Sequence, residues 1–254
     1  MRIAAIDDIH GNLPALEAVL ADIERIEPDL VVDDGDIASG LMPRQTLDLL
    51  MALGSRAQFI RGNADRELVA YFDGDGLSEA LRENDARNVG AWAARQITPQ
   101  QRDFLAGLPE SLALNVNGMG QVLFCHGSPR SDEEIITVAT PEDRVRDMLA
   151  GVAQRVVVCG HTHMQFERRI GGTWVLNAGS VGMPYDGLPG AYWLLLGPGM
   201  AFQRTLYDLE TAAQQIRVSG FPGAEAFARD NVLHPPSGAE ATKFFESLAA
   251  GRDA

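Results

Sequence analysis

Short polar motifs follow the apolar, β-branched runs of this chain, and their positions constrain its fold more than any other feature. Four of the five histidines lie in these motifs. The motifs are Asp8-Ile9-His10-Gly11-Asn12, Gly35-Asp36, Gly62-Asn63-Ala64-Asp65, His126-Gly127-Ser128 and Gly160-His161-Thr162-His163. Because each motif ends a predicted strand, a fold that aligns strand ends would gather them at one place. Imidazole, carboxylate and amide groups in this number suit two metal ions of hard to borderline character.

The N-terminal half alternates predicted strands with predicted helices. The strands are Ile3–Ile6, 30–32 and 58–60, and the helices are Leu13–Ile26 and one near 44–53. Leu16, Leu20 and Ile23 share one face of the first helix. This alternation is typical of a parallel α/β arrangement, in which functional groups collect at the carboxyl ends of strands. Asp8, Asp36 and Asn63 lie at such ends.

The rest of the chain combines helices, further strands and hairpins. We predict a helical insertion over the site at residues 66–111, in which Thr98-Pro99-Gln100-Gln101 begins a helix. Strands follow at 121–125 and 155–159, with a capped helix after Thr140 between them. Glycine and proline turns in 165–206 indicate antiparallel hairpins. We predict one domain at 1–207 and a helical extension at 208–254. The last helix of this extension begins with a capping box at Ser237-Gly238-Ala239-Glu240.

Composition excludes several classes of function. The formal net charge of −14 disfavours stable binding of a nucleic-acid polymer, since phosphate backbones are held by clusters of lysine and arginine. No apolar run approaches the roughly 20 residues of a membrane span, so we expect no membrane association. The start of the chain turns acidic before a signal peptide could form. Cys125 and Cys159 suit buried, reduced thiols, and we expect a cytoplasmic protein. Its C-terminal extension carries no motif, and we assign it to packing or self-association.

These motifs resemble those of the calcineurin-like metallophosphoesterases, in particular the small prokaryotic phosphodiesterase branch. His126-Gly127-Ser128 continues as Pro129, as in the family, and Asn177-Ala178-Gly179-Ser180-Val181-Gly182 is similar to its late glycine-rich turn. The likeness runs from about residue 2 to residue 207. It implies an α/β fold, a four-layer αββα sandwich of two mixed β-sheets flanked by helices, with a short C-terminal helical extension.

The resemblance also implies two divalent metal ions. One would be held by Asp8, His10, Asp36 and His163, and the other by Asp36, Asn63, His126 and His161. Manganese is the first expectation, although iron, zinc, cobalt or nickel would suit the same mixed ligands. A water shared by the two ions would lose a proton near neutral pH and attack phosphorus in line.

The chain departs from the family at a few positions. Ala64 stands where many members have a histidine that protonates the departing oxygen. Asp65 would compensate through a water or, alternatively, be a solvated carboxylate at a helix start. Asp7 and Asp34 would be either buried acids that hydrogen-bond a histidine or plain surface carboxylates.

Further polar residues adjoin the motifs. Arg130 is the better candidate to contact phosphate, because strand alternation turns Arg61 away. Asn12 is expected to cap the first helix rather than reach a substrate. Ser128 lacks a base partner other than His126, so it is not a candidate nucleophile.

We therefore predict a dinuclear-metal-dependent phosphoester hydrolase. Asp36, Asn63, Asp65 and Arg130 are its candidate catalytic residues. Because a general acid is missing, a phosphodiesterase or a hydrolase of nucleotides or polyphosphates is favoured, with a small phosphorylated substrate. Two alternatives stay open: a serine/threonine protein phosphatase and a non-catalytic binding scaffold of the same fold.

Overall fold

The computed structural model describes residues 1–74 and 89–252. In these residues the strands are β1 (Ile3–Ile6), β2 (Leu30–Asp33), β3 (Ala57–Phe59), β4 (Ser111–Val116), β5 (Gly120–Cys125), β6 (Val156–Cys159), β7 (Gln165–Ile170), β8 (Thr173–Ala178), β9 (Ala191–Leu196) and β10 (Met200–Thr205). The α-helices are α1 (Leu13–Ile26), α2 (Pro43–Met51), α3 (Asn63–Asp73), α4 (Val89–Ala94), α5 (Pro99–Ala106), α6 (Glu142–Met148), α7 (Leu209–Arg217), α8 (Ala224–Phe227) and α9 (Gly238–Arg252). A 3-10 turn at Gly54–Arg56 precedes β3, and a π-helical turn at Ala228–Leu233 follows α8.

Two five-stranded sheets, counted over the described residues, carry the fold. Their strand orders are β10-β9-β1-β2-β3 and β4-β5-β6-β8-β7. β1, β2 and β3 are parallel, as are β5, β6 and β8, whereas β4, β7, β9 and β10 pair antiparallel to their neighbours. The predicted parallel N-terminal half and the predicted hairpins are therefore confirmed. The sequence prediction missed β4, an edge strand.

Side chains that alternate along the strands divide the core into layers. Ala4 and Ile6 of β1 pack beneath helices such as α1, whereas Ile3 and Ala5 face the second sheet. Phe124 of β5 is fully buried in this layer between the sheets. A further cluster lies between the second sheet and α6. The four-layer αββα sandwich of two mixed sheets is thus confirmed.

Of the three capped helix starts predicted after residue 90, two form as expected. Thr98 and Gln101 make reciprocal capping hydrogen bonds at α5, and Ser237 and Glu240 do so at α9. The cap predicted at Thr140 is wrong, because Pro141 is the N-cap residue of α6 and provides no side-chain bond. The Thr140 hydroxyl instead accepts a hydrogen bond from the Thr137 amide and donates one to Glu246 of α9.

The predicted insertion at 66–111 and the predicted extension at 208–254 both pack onto the core. In the 66–111 segment, Leu68, Trp92 and Leu105 join the cluster beneath the first sheet, together with Ile216 of α7 and Phe227 of α8. Residues 75–88 of that segment lie outside the described residues. Its role as a cover over the site and the domain boundary at residue 207 stay predictions. None of the described helices is long and apolar enough to cross a membrane.

Replacing Phe124 with alanine should lower the free energy of unfolding by about 3–5 kcal/mol, because it removes a ring from between the sheets and leaves a cavity. Urea unfolding followed by circular dichroism measures this change. Leu206→Ala, at a side chain that is 72% exposed, is the control and should change stability little. A Phe124→Ala protein as stable as that control would contradict the packing described here.

Candidate metal centre

The polar motifs leave the carboxyl ends of parallel strands in both sheets. Asp8, Asp36 and Asn63 follow β1, β2 and β3 of the first sheet, and His126 and His161 follow β5 and β6 of the second. Because the two sheets face each other, these ends meet at one edge of the sandwich. All seven predicted ligand residues lie there, in two adjoining groups.

The first group contains Asp8, His10 and His163. Asp8 Oδ1 lies 3.3 Å from His163 Nε2 and 3.7 Å from His10 Nε2, and the two nitrogens are 3.2 Å apart. Asp8 Oδ1 is buried and has no hydrogen-bond partner in the described residues. A buried carboxylate oxygen facing two imidazole nitrogens is an arrangement that a cation would satisfy.

The second group contains Asp36, Asn63, His126 and His161. His126 Nε2 lies 3.2 Å from Asn63 Oδ1 and 3.4 Å from Asp36 Oδ2, and His161 offers a nitrogen within 4.8 Å of both Asp36 and His126. Asp36 Oδ2 is also 3.7 Å from His10 Nε2. Asp36 therefore stands between the two groups, as the resemblance implies.

Backbone contacts hold Asp36 in this position. Gly35 turns the chain sharply with a φ of 109°, a value that side chains rarely allow. Asp36 Oδ1 accepts a hydrogen bond of 2.7 Å from the Ala64 amide at the start of α3. A Cβ on Gly62 would lie 2.2 Å from this same oxygen. Close approach of the two loops thus requires glycine at position 62.

Asp65 joins the loops after β2 and β3. Its side chain is fully buried and accepts hydrogen bonds from the backbone amides of Asp36, Ile37 and Gly62 at 2.9, 2.9 and 3.0 Å. The alternative of a solvated carboxylate is therefore wrong, because tertiary contacts close over the helix start. Burial and the neighbouring Asp36 charge raise the pKa of Asp65 to about 7. A catalytic role for Asp65 stays a prediction.

The charges within the site influence each other strongly. Burial would raise the pKa of Asp36, but His126 and His10 hold it at about 2. Burial lowers the pKa of His161 to about 4, and the nearby His126 adds to this effect. At neutral pH Asp36 is thus an anion and His161 a neutral imidazole. Against the effect of burial, the neighbouring carboxylates raise the pKa of His10 and His126, so binding of cations would displace protons from these two rings.

Asp7 and Asp34 are fully buried behind His126, so the surface alternative is wrong for both. Asp7 Oδ1 lies 3.5 Å from His126 Nδ1, which is 2.9 Å from the backbone carbonyl of Asp34. Burial and neighbouring aspartates raise the pKa of both carboxyls well above the usual range. Asp34 therefore contacts His126 through its backbone carbonyl, whereas the first alternative had predicted a contact through its carboxyl group.

A cavity of about 240 Å³ adjoins His126. Arg130 lines it, but its guanidinium is paired with Glu134 at 2.6 Å and the side chain is 55% exposed. Arg61 lines it too, so the expectation that Arg61 turns away is wrong: it lies beyond the end of β3, where strand alternation no longer applies. Sequence analysis missed Arg66 in the same lining, for which the first turn of α3 was the available signal.

Two other predicted roles are settled by hydrogen bonds. Asn12 is the N-cap of α1, with its side chain accepting from the Ala15 amide, which confirms the capping role. The Ser128 hydroxyl donates to Glu134 at 2.5 Å, in agreement with the view that Ser128 is not a nucleophile. Cys125 and Cys159 are buried free thiols, as expected.

Gly62→Ala should displace Asp36 and reduce the metal content of the purified protein, because the added methyl group overlaps the carboxylate. Bound manganese per chain, measured after dialysis, tests this. Gly199→Ala, where a Cβ would meet nothing within 4 Å, is the matched control and should keep the wild-type content. A folded Gly62→Ala protein with wild-type metal content would show that the loop tolerates the methyl group without moving Asp36.

Comparison with known proteins agrees with this geometry. The family model of the calcineurin-like phosphoesterase superfamily domain matches residues 1–196. An uncharacterized protein of Methanocaldococcus jannaschii is 28% identical over 244 residues, covering 87% of this chain and 93% of that protein. A symmetrical bis(5'-nucleosyl)-tetraphosphatase of Pectobacterium carotovorum is 33% identical, but over only 39% of each chain.

Solved structures give the same result. The crystal structure of a metallophosphoesterase from Sphaerobacter thermophilus has a TM-score of 0.73 at 27% identity, covering 91% of this chain and 99% of that one. A hypothetical protein from Pyrococcus horikoshii shares the fold with a TM-score of 0.76 at 19% identity, covering 93% and 99%. With its strand-end motifs meeting at one sheet edge, this chain belongs to the calcineurin-like phosphoesterase superfamily and is a phosphoester hydrolase.

Proposed function

We propose that this protein is a dinuclear-metal-dependent phosphodiesterase or a hydrolase of nucleotides or polyphosphates. The observation that carries the proposal is the position of Asp36 between the two groups. Its Oδ2 faces His126 on one side and His10 on the other, at 3.4 and 3.7 Å. One carboxylate placed in this way can serve two cations at once.

The residues present fit two divalent ions. The unpartnered Asp8 Oδ1 marks the first position, where Asp8, His10, Asp36 and His163 would hold one ion. Asp36, Asn63, His126 and His161 would hold the other. Two divalent ions would supply Lewis-acid stabilisation of phosphoryl oxygens and lower the pKa of a water for attack. Manganese is the metal we propose, in an enzyme that works in the cytoplasm, where its unpaired thiols would stay reduced.

The chain itself supplies orientation and charge around the substrate. Nδ1 of three site histidines lies against a backbone carbonyl, which leaves Nε2 directed inward. The cavity beside His126 is lined by Arg61, Arg66 and Arg130. Their guanidinium groups pair with Glu110, Asp132 and Glu134, and a phosphate would take the place of these carboxylates as the acceptor. We propose that part of the substrate's phosphate enters this cavity.

The lack of an acid at Ala64 determines which leaving groups suit the site. The Ala64 amide lies beside Asp36, so a side chain at this position would be close to the reacting phosphate. General-acid help is worth typically 10²–10⁴-fold, and alkoxide leaving groups need it most. Nucleotide, polyphosphate and aryl oxide leaving groups depart without protonation by a general acid. The partial likeness to a bis(5'-nucleosyl)-tetraphosphatase supports the same substrate class.

With added manganese, wild-type protein should hydrolyse bis-p-nitrophenyl phosphate and diadenosine tetraphosphate faster than a phosphoserine peptide. Asp36→Asn should abolish turnover of all three, because the shared carboxylate charge is lost. Release of p-nitrophenol, of nucleotide and of phosphate measures the three rates.

Asp143→Asn, at a carboxylate that is 93% exposed, is the matched control and should leave every rate unchanged. Wild-type activity in Asp36→Asn would refute the two-metal site. Fastest turnover of the peptide would indicate a protein phosphatase, and no turnover by wild-type protein that holds two ions would indicate a binding scaffold.

The missing acid predicts a steep dependence of rate on the leaving group. Across a series of aryl phosphodiesters, log kcat/KM should fall strongly as the pKa of the departing phenol rises, because no side chain at Ala64 protonates it. A flat dependence, under conditions where chemistry limits the rate, would mean that another group acts as the general acid.

A further inference from the structure

The four site histidines differ in how their rings are held. Ligand histidines usually fix the ring through a hydrogen bond at the second nitrogen. The Nδ1 atoms of His10, His126 and His163 lie 3.2, 2.9 and 2.8 Å from the backbone carbonyls of Ser39, Asp34 and Met183. His161 is the exception: its ring nitrogens have no such partner among the described residues, although its backbone amide donates to Asp8. Something other than a hydrogen bond must therefore orient the His161 ring.

Two aromatic rings lie near the His161 ring instead. The His126 ring lies edge-on at 5.2 Å between centroids, and the Phe245 ring lies at 6.3 Å with an angle of 56°. Phe245 is also 6.3 Å from Tyr185, which stacks on His163 at 4.7 Å. Phe245 and Tyr185 thus form an aromatic pair beside the two histidines of the Gly160-His161-Thr162-His163 motif.

Phe245 belongs to α9, beyond residue 196, where the match to the family domain ends. Its side chain is 8% exposed and packs in a small cluster that includes Ile135, Met164 and Ala249. The helix carrying the ring is therefore built onto the site from outside the part of the chain that matches the superfamily.

Polar contacts hold α9 in register. Glu246, next to Phe245, accepts hydrogen bonds from the hydroxyls of Thr137 and Thr140 at 2.6 and 2.5 Å. These threonines lie between β5 and α6, in the segment that follows His126. The helix is consequently tied to the same loop region that forms the wall of the site, and its position does not depend on Phe245 alone.

We propose that Phe245 is a positioning residue for His161, and that α9 is thereby a working part of the metal centre. This inference rests on the proposed two-metal function. The ring restricts the rotation of His161 by packing, in place of the carbonyl that restrains the other histidines. A restrained ligand loses less rotational freedom when an ion binds. Removal of the Phe245 ring therefore lowers the affinity for one ion and leaves the affinity for the other unchanged. The affected ion is the one held by Asp36, Asn63, His126 and His161.

The test is a titration of metal-free, full-length protein with Mn²⁺ by isothermal calorimetry. Phe245→Ala should weaken one of two binding events by about 10-fold, in the range that follows loss of a residue supporting a ligand. The electron paramagnetic resonance signal of spin-coupled manganese pairs should fall in parallel at limiting Mn²⁺.

Two controls on the same helix separate positioning from general loss of stability. Leu248→Ala removes an apolar side chain that is 42% exposed and should leave both events unchanged. Ala249→Gly weakens the buried side of α9 without touching His161 and should also keep both affinities. Phe245→Leu keeps an apolar side chain and should bind the ion of the His161 group more tightly than Phe245→Ala does. If Phe245→Ala does not fold, Phe245→Leu is compared with wild type and should bind this ion less tightly.

Unchanged binding in a folded Phe245→Ala or Phe245→Leu protein would overturn the inference, as would equal weakening in Ala249→Gly. Wild-type protein that binds fewer than two ions would instead overturn the proposed function, and this inference with it. The two failures are distinguished by the wild-type titration.

Discussion

Left-handed backbone at the strand ends is the constraint on which the site depends. Apart from glycines and Glu27 at the end of α1, the described residues with positive φ are Asp8, His10, Asp36, His161 and His163, at 48° to 65°. This conformation costs a residue with a side chain on the order of 1–3 kcal/mol, so it persists only where the surroundings impose it. Here the Asp8 amide bonds to the Gly35 carbonyl at 3.1 Å and the His10 amide to the Asp36 carbonyl at 2.9 Å. The fold holds these turns so that the side chains face one another.

Buried negative charge follows from that arrangement. The fully or almost fully buried aspartates around the site are Asp7, Asp8, Asp33, Asp34, Asp36 and Asp65. Burying a carboxylate is costly without a partner, which is why the pKa of Asp7, Asp33 and Asp34 is raised by burial while histidines lower that of Asp36. Cations at the edge would offset this charge. Metal binding and folding should therefore be linked in this protein.

The C-terminal helix shows how a site can extend beyond its shared domain. Sequence analysis assigned residues 208–254 to packing or self-association, since they carry no motif. Packing is what the structure shows, but part of it takes place against the site: Phe245 lies beside His161, and Glu246 binds Thr137 and Thr140. An aromatic residue in an amphipathic helix has no local signature that separates such a role from ordinary burial.

The sequence by itself determined most of the helices and strands and the residue types of the site, because both depend on local information; the edge strand β4 was missed. Periodicity predicted the bounds of β1 and α1, and the strand-end motifs, through the family that they resemble, predicted which residues meet. Only the tertiary structure decided what those residues touch: Asp65 became a buried acceptor of backbone amides, and Arg61 turned into the cavity. Such contacts join segments far apart in the chain, and their formation depends on how sheets and helices pack, which no local pattern encodes.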